Sequence, residues 1–176
     1  MDLPQVNIRK ILYTTDLSES ARQAFAYAVS LADAYGASLS ILHVMAEDPT
    51  LETGIIGYIG EEQWQAIKQQ NRREAQEALI GKRRTHMALR DGLTQFAADN
   101  TSAMAAKPVT TDEVFVLRGN PVEQIVKTAE SEGCDLIVMG THGLGAIADA
   151  VMGSTARRVI RRCQIPVLVV RLPDEE

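Results

Sequence analysis

Five short runs of aliphatic and β-branched residues, set apart by segments of helical periodicity, restrict this chain to few architectures. The runs cover residues 8–15, 38–45, 114–117, 136–139 and 165–170. Each is too short for a helix and too apolar for a surface strand. Between the first two, Ala21, Ala24, Phe25, Ala28, Leu31 and Ala32 recur at helical spacing from Glu19 to about Tyr35. Ser18 is placed to cap that helix, and Gly36 to end it in the left-handed conformation. Asn120, Pro121 and Glu123 form a second helix start, with a cap, a first-turn proline and a carboxylate able to reach back. Gly133 closes that helix. Strands alternating with helices predict an α/β fold with a doubly wound parallel sheet.

The interval 61–104 fits that alternation least well. Trp64, Ile67, Ala75, Ala78 and Leu79 mark one apolar helix face. A single helix over the whole interval would be about 60 Å long at ~1.5 Å per residue, more than a small sheet can cover. A break is therefore expected, with Gly81 or Gly92 as its marker. The small residues of 97–107 read as loop. So does 46–60, where Gly54, Gly57 and Gly60 separate Ile55, Ile56, Tyr58 and Ile59. That stretch either closes over a ligand or packs against the long helix.

The segment most suggestive of chemistry follows the fourth run. Leu136, Ile137, Val138 and Met139 lead into Gly140-Thr141-His142-Gly143, nine residues, then Gly153-Ser154-Thr155 at the start of a helix reaching Cys163. Glycines admit a ligand close to the backbone, and a helix start offers unpaired amides at its positive end. The combination suits phosphate. Ala156, Val159, Ile160 and Cys163 share the predicted buried face of that last helix. Arg157, Arg158, Arg161 and Arg162 share the other, as a solvated face or a draw for polyphosphate. His142 is either an exposed loop residue or a donor to phosphate.

Gly140, Gly143, Gly153 and Ser154 match the Gly-x2-Gly-x9-Gly-Ser/Thr pattern of the ATP-binding universal stress proteins. Ile11 to Ser18 is similar to that family's first strand and Asp-bearing loop, and Ile165 to Val170 to its closing strand. The resemblance implies a five-stranded, Rossmann-like sheet in the order 3-2-1-4-5 with helices on both faces. It makes 1–176 a single domain with an enlarged helical region at about 61–104. It also implies contacts to an adenine nucleotide. Asp16 and the backbone of Val44 would meet the adenine end, Met139 and Gly140 the sugar, and Gly143, Gly153, Ser154 and Thr155 the phosphates. Asp16 has a plainer alternative as a cap of the first helix. Thr14 departs from the proline the family often carries there. The implied ligand is ATP, or AMP or ADP, with Mg2+ held through the phosphates. Homodimerisation through the strand from Pro166 to Arg171 is implied as well.

Composition narrows the remaining possibilities. A net charge of −5 and a pI near 5.3 argue against nucleic acid or an anionic membrane as partner. No apolar run approaches the roughly 20 residues that span a bilayer, and no basic-then-apolar leader opens the chain. Cys134 and Cys163, unpaired in spacing, read as reduced core residues of a cytoplasmic protein. The chain lacks GxxxxGK[ST] and the HIGH and SGGxDS signatures of related adenylating enzymes. The expected function is a nucleotide-dependent stress-response switch or sensor with at most slow ATP hydrolysis and an unidentified protein partner. A slow ATPase or adenylate-forming enzyme, and a nucleotide-free interaction module, are the alternatives.

Overall fold

The computed structural model describes residues 3, 5–45, 51–74, 81–105, 109–141 and 152–171. Strands β1 (Lys10–Thr15), β2 (Ser38–Met45), β3 (Thr111–Arg118), β4 (Leu136–Gly140) and β5 (Val167–Val170) form one sheet in the order β3-β2-β1-β4-β5. All four pairings are parallel. The helices are α1 (Glu19–Tyr35), α2 (Leu51–Ile59), α3 (Glu61–Glu74), α4 (Gly81–Met104), α5 (Pro121–Ser131) and α6 (Ser154–Arg162). The doubly wound parallel sheet and the order 3-2-1-4-5 are as expected.

Alternation along the strands divides the interior into two cores. Ile11, Tyr13, Leu39, Ile41, Val114 and Val138 pack with Phe25 of α1, Ile55 of α2, Trp64 of α3 and Leu89 of α4. Their neighbours Leu12, Leu42, Ile137 and Met139 pack on the other face with Val122 and Ile125 of α5 and Ala156 and Val159 of α6. The chain therefore leaves β1 toward one face and β4 toward the other.

Local signals are realised where capping chemistry specifies them. Ser18 Oγ accepts from Ala21 N at 3.2 Å, and Gly36 adopts φ 64° beyond α1. Asn120 Oδ1 accepts from Val122 N at 3.0 Å and Glu123 N at 3.3 Å, with Pro121 in the first turn. Gly133 has φ 63° just past α5.

Three expectations are corrected. Residues 51–59 of the supposed glycine-spaced loop are helix α2. A Cβ at Gly54 would lie 2.9 Å from Leu17 Cβ, and one at Gly92 would lie 3.3 Å from Ile59 Cδ1. These glycines let α2 settle on the β1–α1 connection and on α4, and burial of Ile55 outweighs their poor helix propensity. Of the two readings of 46–60, packing against the long helix is the one seen for α2; 46–50 lie outside the described residues. Second, α4 continues to Met104, so 97–104 is not loop. Ala97 is buried, and alanine is the best helix former. α3 is described to Glu74 and α4 from Gly81, Gly92 lies within α4, and Ala75, Ala78 and Leu79 of the expected apolar face lie outside the described residues. Third, Ile160 is 42% exposed and lies off the buried face of α6, which Ala156 and Val159 supply.

Candidate functional site

At the C-terminal ends of β1 and β4 the two cores part, and ligands of open parallel sheets lie at such a point. Most of the residues singled out in the sequence come together here.

Asp16 directly follows β1 and is half-buried. Its Oδ1 accepts from Ser18 N at 3.1 Å, while Ser18 Oγ serves as the cap of α1. Asp16 thus shapes the turn before the helix but is not the cap itself. Between them Leu17 has φ 68°, the one positive value outside glycine among the described residues. Thr14 pairs with Leu42 of β2 and Thr15 with His43, so Thr14 and Val44 share the α5–α6 side of the sheet. Val44 packs against the core that holds Met139 and Ala156. His43 Nδ1 lies 2.8 Å from Thr15 O, tying the ends of β1 and β2 together.

Gly140 ends β4 under tight constraint. A Cβ there would stand 2.6 Å from Ser20 Oγ, 2.8 Å from Ser20 C and 2.9 Å from Ala21 N. Glycine therefore lets β4 run against the first turn of α1, which brings Gly140 beside the Asp16 turn.

The next residue, Thr141, is buried and joins three elements. Its N and Oγ1 both donate to Val170 O of β5, at 2.8 and 2.9 Å. Its carbonyl accepts from Gly153 N at 2.8 Å, which seats the start of α6 beside the end of β4. Gly153 is the N-cap, with φ −61° and ψ 154°, and supplies no side-chain cap. The first intrahelical bond runs from Arg157 N to Gly153 O at 3.2 Å. The amides of Ser154, Thr155 and Ala156 precede it and have no carbonyl four residues back within the helix. Ser154 is exposed and Thr155 half-buried, so two hydroxyls accompany these donors. A φ of −61° suits any residue, so the backbone conformation does not itself require glycine at 153.

Gly143 and His142 lie outside the described residues. Arg157, Arg158, Arg161 and Arg162 are all exposed on α6. Cys134 and Cys163 are free, the first buried and the second half-buried. Among the described residues no group of three His, Cys, Asp or Glu is placed to hold a metal ion, and no helix is long and apolar enough to cross a membrane.

Sequence reasoning passed over Ser20, Thr141 and Tyr58. Ser20 acts by its close approach to Gly140 through both Oγ and backbone, Thr141 by bonds to β5 and Gly153, and Tyr58 reaches the β1–α1 turn from α2. Only Thr141, next to Gly140, carried a positional hint.

Comparison with known proteins agrees with this architecture. The model of the universal stress protein family matches residues 7–171. A universal stress protein of Thermus aquaticus is 34% identical over 163 residues, which are 93% of this chain and 98% of that protein. The solved structure of MJ0577, a universal stress protein of Methanocaldococcus jannaschii, matches with TM-score 0.58 and 25% identity, covering 97% of this chain and all of that one. The fold is also shared by a universal stress protein solved in complex with cAMP, at TM-score 0.56 and 24% identity over 94% of this chain and 98% of that one. The chain belongs to the universal stress protein family.

Proposed function

We propose that this protein binds ATP at the junction of β1, β4 and α6 and acts in the cytoplasm as a nucleotide-dependent stress-response switch or sensor. The observation that carries this reading is the bond from Gly153 N to Thr141 O. It holds the start of α6 against the end of β4, with the amides of Ser154, Thr155 and Ala156 left over for an anion. In this assignment Asp16 and the backbone of Val44 take the adenine end and Met139 and Gly140 border the sugar. Gly143, Gly153, Ser154 and Thr155 surround the phosphates. Mg2+ would enter with the nucleotide through its phosphate oxygens, and AMP or ADP would use the same seat with fewer contacts. Nucleotide that binds one conformation better than another shifts the protein between states with different partners, which is all a switch requires. ATP hydrolysis is at most slow in this reading.

Self-association belongs to the same proposal. β5 is an edge strand, and its Val167, Leu168 and Val169 are only half-buried. Such an edge pairs readily with another copy, which makes a homodimer through residues 166–171 the expected assembly.

The test begins with the purified protein, extracted and analysed by mass spectrometry for bound adenine nucleotide. ATP is expected at a substantial fraction of the protein concentration. Gly153→Val should abolish retention with the fold intact, because φ −61° accommodates valine while its branched side chain fills the phosphate seat. Undiminished ATP affinity in that variant would remove the site. Phosphate released at many times the protein concentration would replace the switch by an enzyme.

A further inference from the structure

We infer that Tyr58 of α2 is a positioning residue for the nucleotide site, holding the turn that carries Asp16 from the sheet face opposite α6. This rests on the ATP-binding reading above and deepens it.

The turn needs holding. Leu17 sits in the left-handed region at φ 68°, a conformation in which an ordinary side chain crowds its own backbone. Such a residue persists where its surroundings over-determine it. Here Gly54 packs against Leu17, Tyr13 Oη donates to Ala21 O at 2.7 Å and lies 3.1 Å from Tyr58 Oη, and the Tyr58 hydroxyl spans the turn itself. Tyr58 donates to Ser18 O at 3.2 Å and lies 2.7 Å from Thr15 Oγ1. Its single proton being given to Ser18, the proton between Tyr58 and Thr15 comes from Thr15. Thr15 Oγ1 in turn accepts from Leu17 N at 3.0 Å. The donors form a directed chain, Leu17 N to Thr15 Oγ1 to Tyr58 Oη to Ser18 O, that bridges the turn from one end to the other. Asp16 lies inside the span and is itself bonded to Ser18 N.

The Tyr58 hydroxyl is itself fixed from several sides. Its ring packs against Phe96 of α4 at 4.9 Å between centroids, tilted by 55°, and the Arg22 guanidinium lies over it at 6.0 Å. Arg22 Nη1 also donates to Gly57 O, clasping the last turn of α2 to the first turn of α1. Gly54 rests against Leu17 Cβ, so α2 touches the strained residue directly as well as through the hydroxyl. The start of α6 is held instead from β4, by the bond from Gly153 N to Thr141 O. α2 therefore governs the Asp16 side of the site and leaves the α6 side to Thr141 and Gly153.

The decisive variant is Tyr58→Phe, which keeps the ring between Phe96 and Arg22 and deletes only the hydroxyl. ATP affinity is measured by calorimetry, together with residue-resolved hydrogen exchange. The expected result is an ATP Kd raised roughly tenfold, with faster exchange across 15–21 and unchanged exchange across 154–160. If Tyr58→Phe fails to fold, Thr15→Val interrupts the same chain at its other hydroxyl and should give the same pattern. Wild-type affinity in the folded variant overturns the inference. An equal rise in exchange across both segments does so too, because it reports general loosening. Absence of ATP binding in the unaltered protein is a separate result, seen before any substitution, and removes the reading beneath the inference as well.

Discussion

A methyl group has no room at residue 140. Two of the three atoms it would meet, Ser20 C and Ala21 N, are backbone atoms of the first turn of α1, at 2.8 and 2.9 Å. A flexible side chain could swing aside, but a helix turn capped by Ser18 moves only as a unit. Gly140→Ala should therefore push α1 away from β4 and destabilise the fold by about 1–3 kcal/mol, the usual range for overpacking a core. Urea denaturation reads this as a lower midpoint at unchanged slope. A midpoint equal to wild type would mean that α1 yields freely and that the close approach constrains nothing. Gly140 and Gly153 thus differ in kind, although both belong to one sequence pattern. The first makes space for the protein's own backbone. The second stands at an unstrained φ, so its backbone does not demand glycine.

The strand starts, at the end of the sheet opposite the candidate site, form their own electrostatic group. Lys10 bonds Glu132 at 3.2 Å and lies 3.8 Å from Asp112, while Asp135 Oδ2 accepts from Arg9 N at 2.8 Å and Lys10 N at 3.1 Å. Burial works against the charge on Lys10, but Glu132 and Asp112 outweigh it and raise its pKa above 10.5. Nearby, burial pushes the Cys134 thiol from 9.0 up to about 11. Burial also raises the pKa of Tyr13 and of Tyr58 above 10.0. All four shifts have the same sign. Each group keeps its proton longer in the folded state, so above the unfolded pKa the unfolded chain binds fewer protons and stability falls with rising pH. The decline should begin near pH 9 with Cys134 and steepen above pH 10. Cys134→Ala should flatten the portion between pH 9 and 11, measured by denaturation at a series of pH values. A stability curve level to pH 11 would contradict the burial of these groups. Element boundaries were legible where the determinant is local. Ser18, Gly36, Asn120 and Pro121 act within a turn of their own positions, so the starts of α1 and α5 could be read directly. α2 could not, because Gly54 within it is accounted for by Leu17, and Gly92 of α4 by Ile59 and Ile55 of α2, partners that meet only in the folded chain. The same holds for the site. The spacing from Gly140 to Ser154 was visible, whereas the Tyr58 and Thr141 bonds join elements far apart in sequence.

At the level of the whole molecule, two cores share one sheet and separate at β1 and β4. α1 and α2 approach the junction from one face, and α6 from the other. A ligand touching both the Asp16 turn and the start of α6 would link the two sides and bind only the folded chain. Such binding stabilises by mass action, by about 2.7 kcal/mol at a hundredfold excess over Kd. For a domain of this size that corresponds to a rise in Tm of roughly 5–10 °C. AMP, with fewer oxygens to offer the three α6 amides, should raise Tm less than ATP at equal concentration. The order of the two shifts separates contributions that a single ligand confounds. A phosphate seat predicts ATP above AMP and loss of the difference in Gly153→Val. A site dominated by adenine predicts equal shifts in wild type, both diminished in Tyr58→Phe. Thermal unfolding of the three proteins with each nucleotide thus tests the α6 side and the α2 side independently, and a flat response to ATP at millimolar concentration would leave the junction without its proposed ligand.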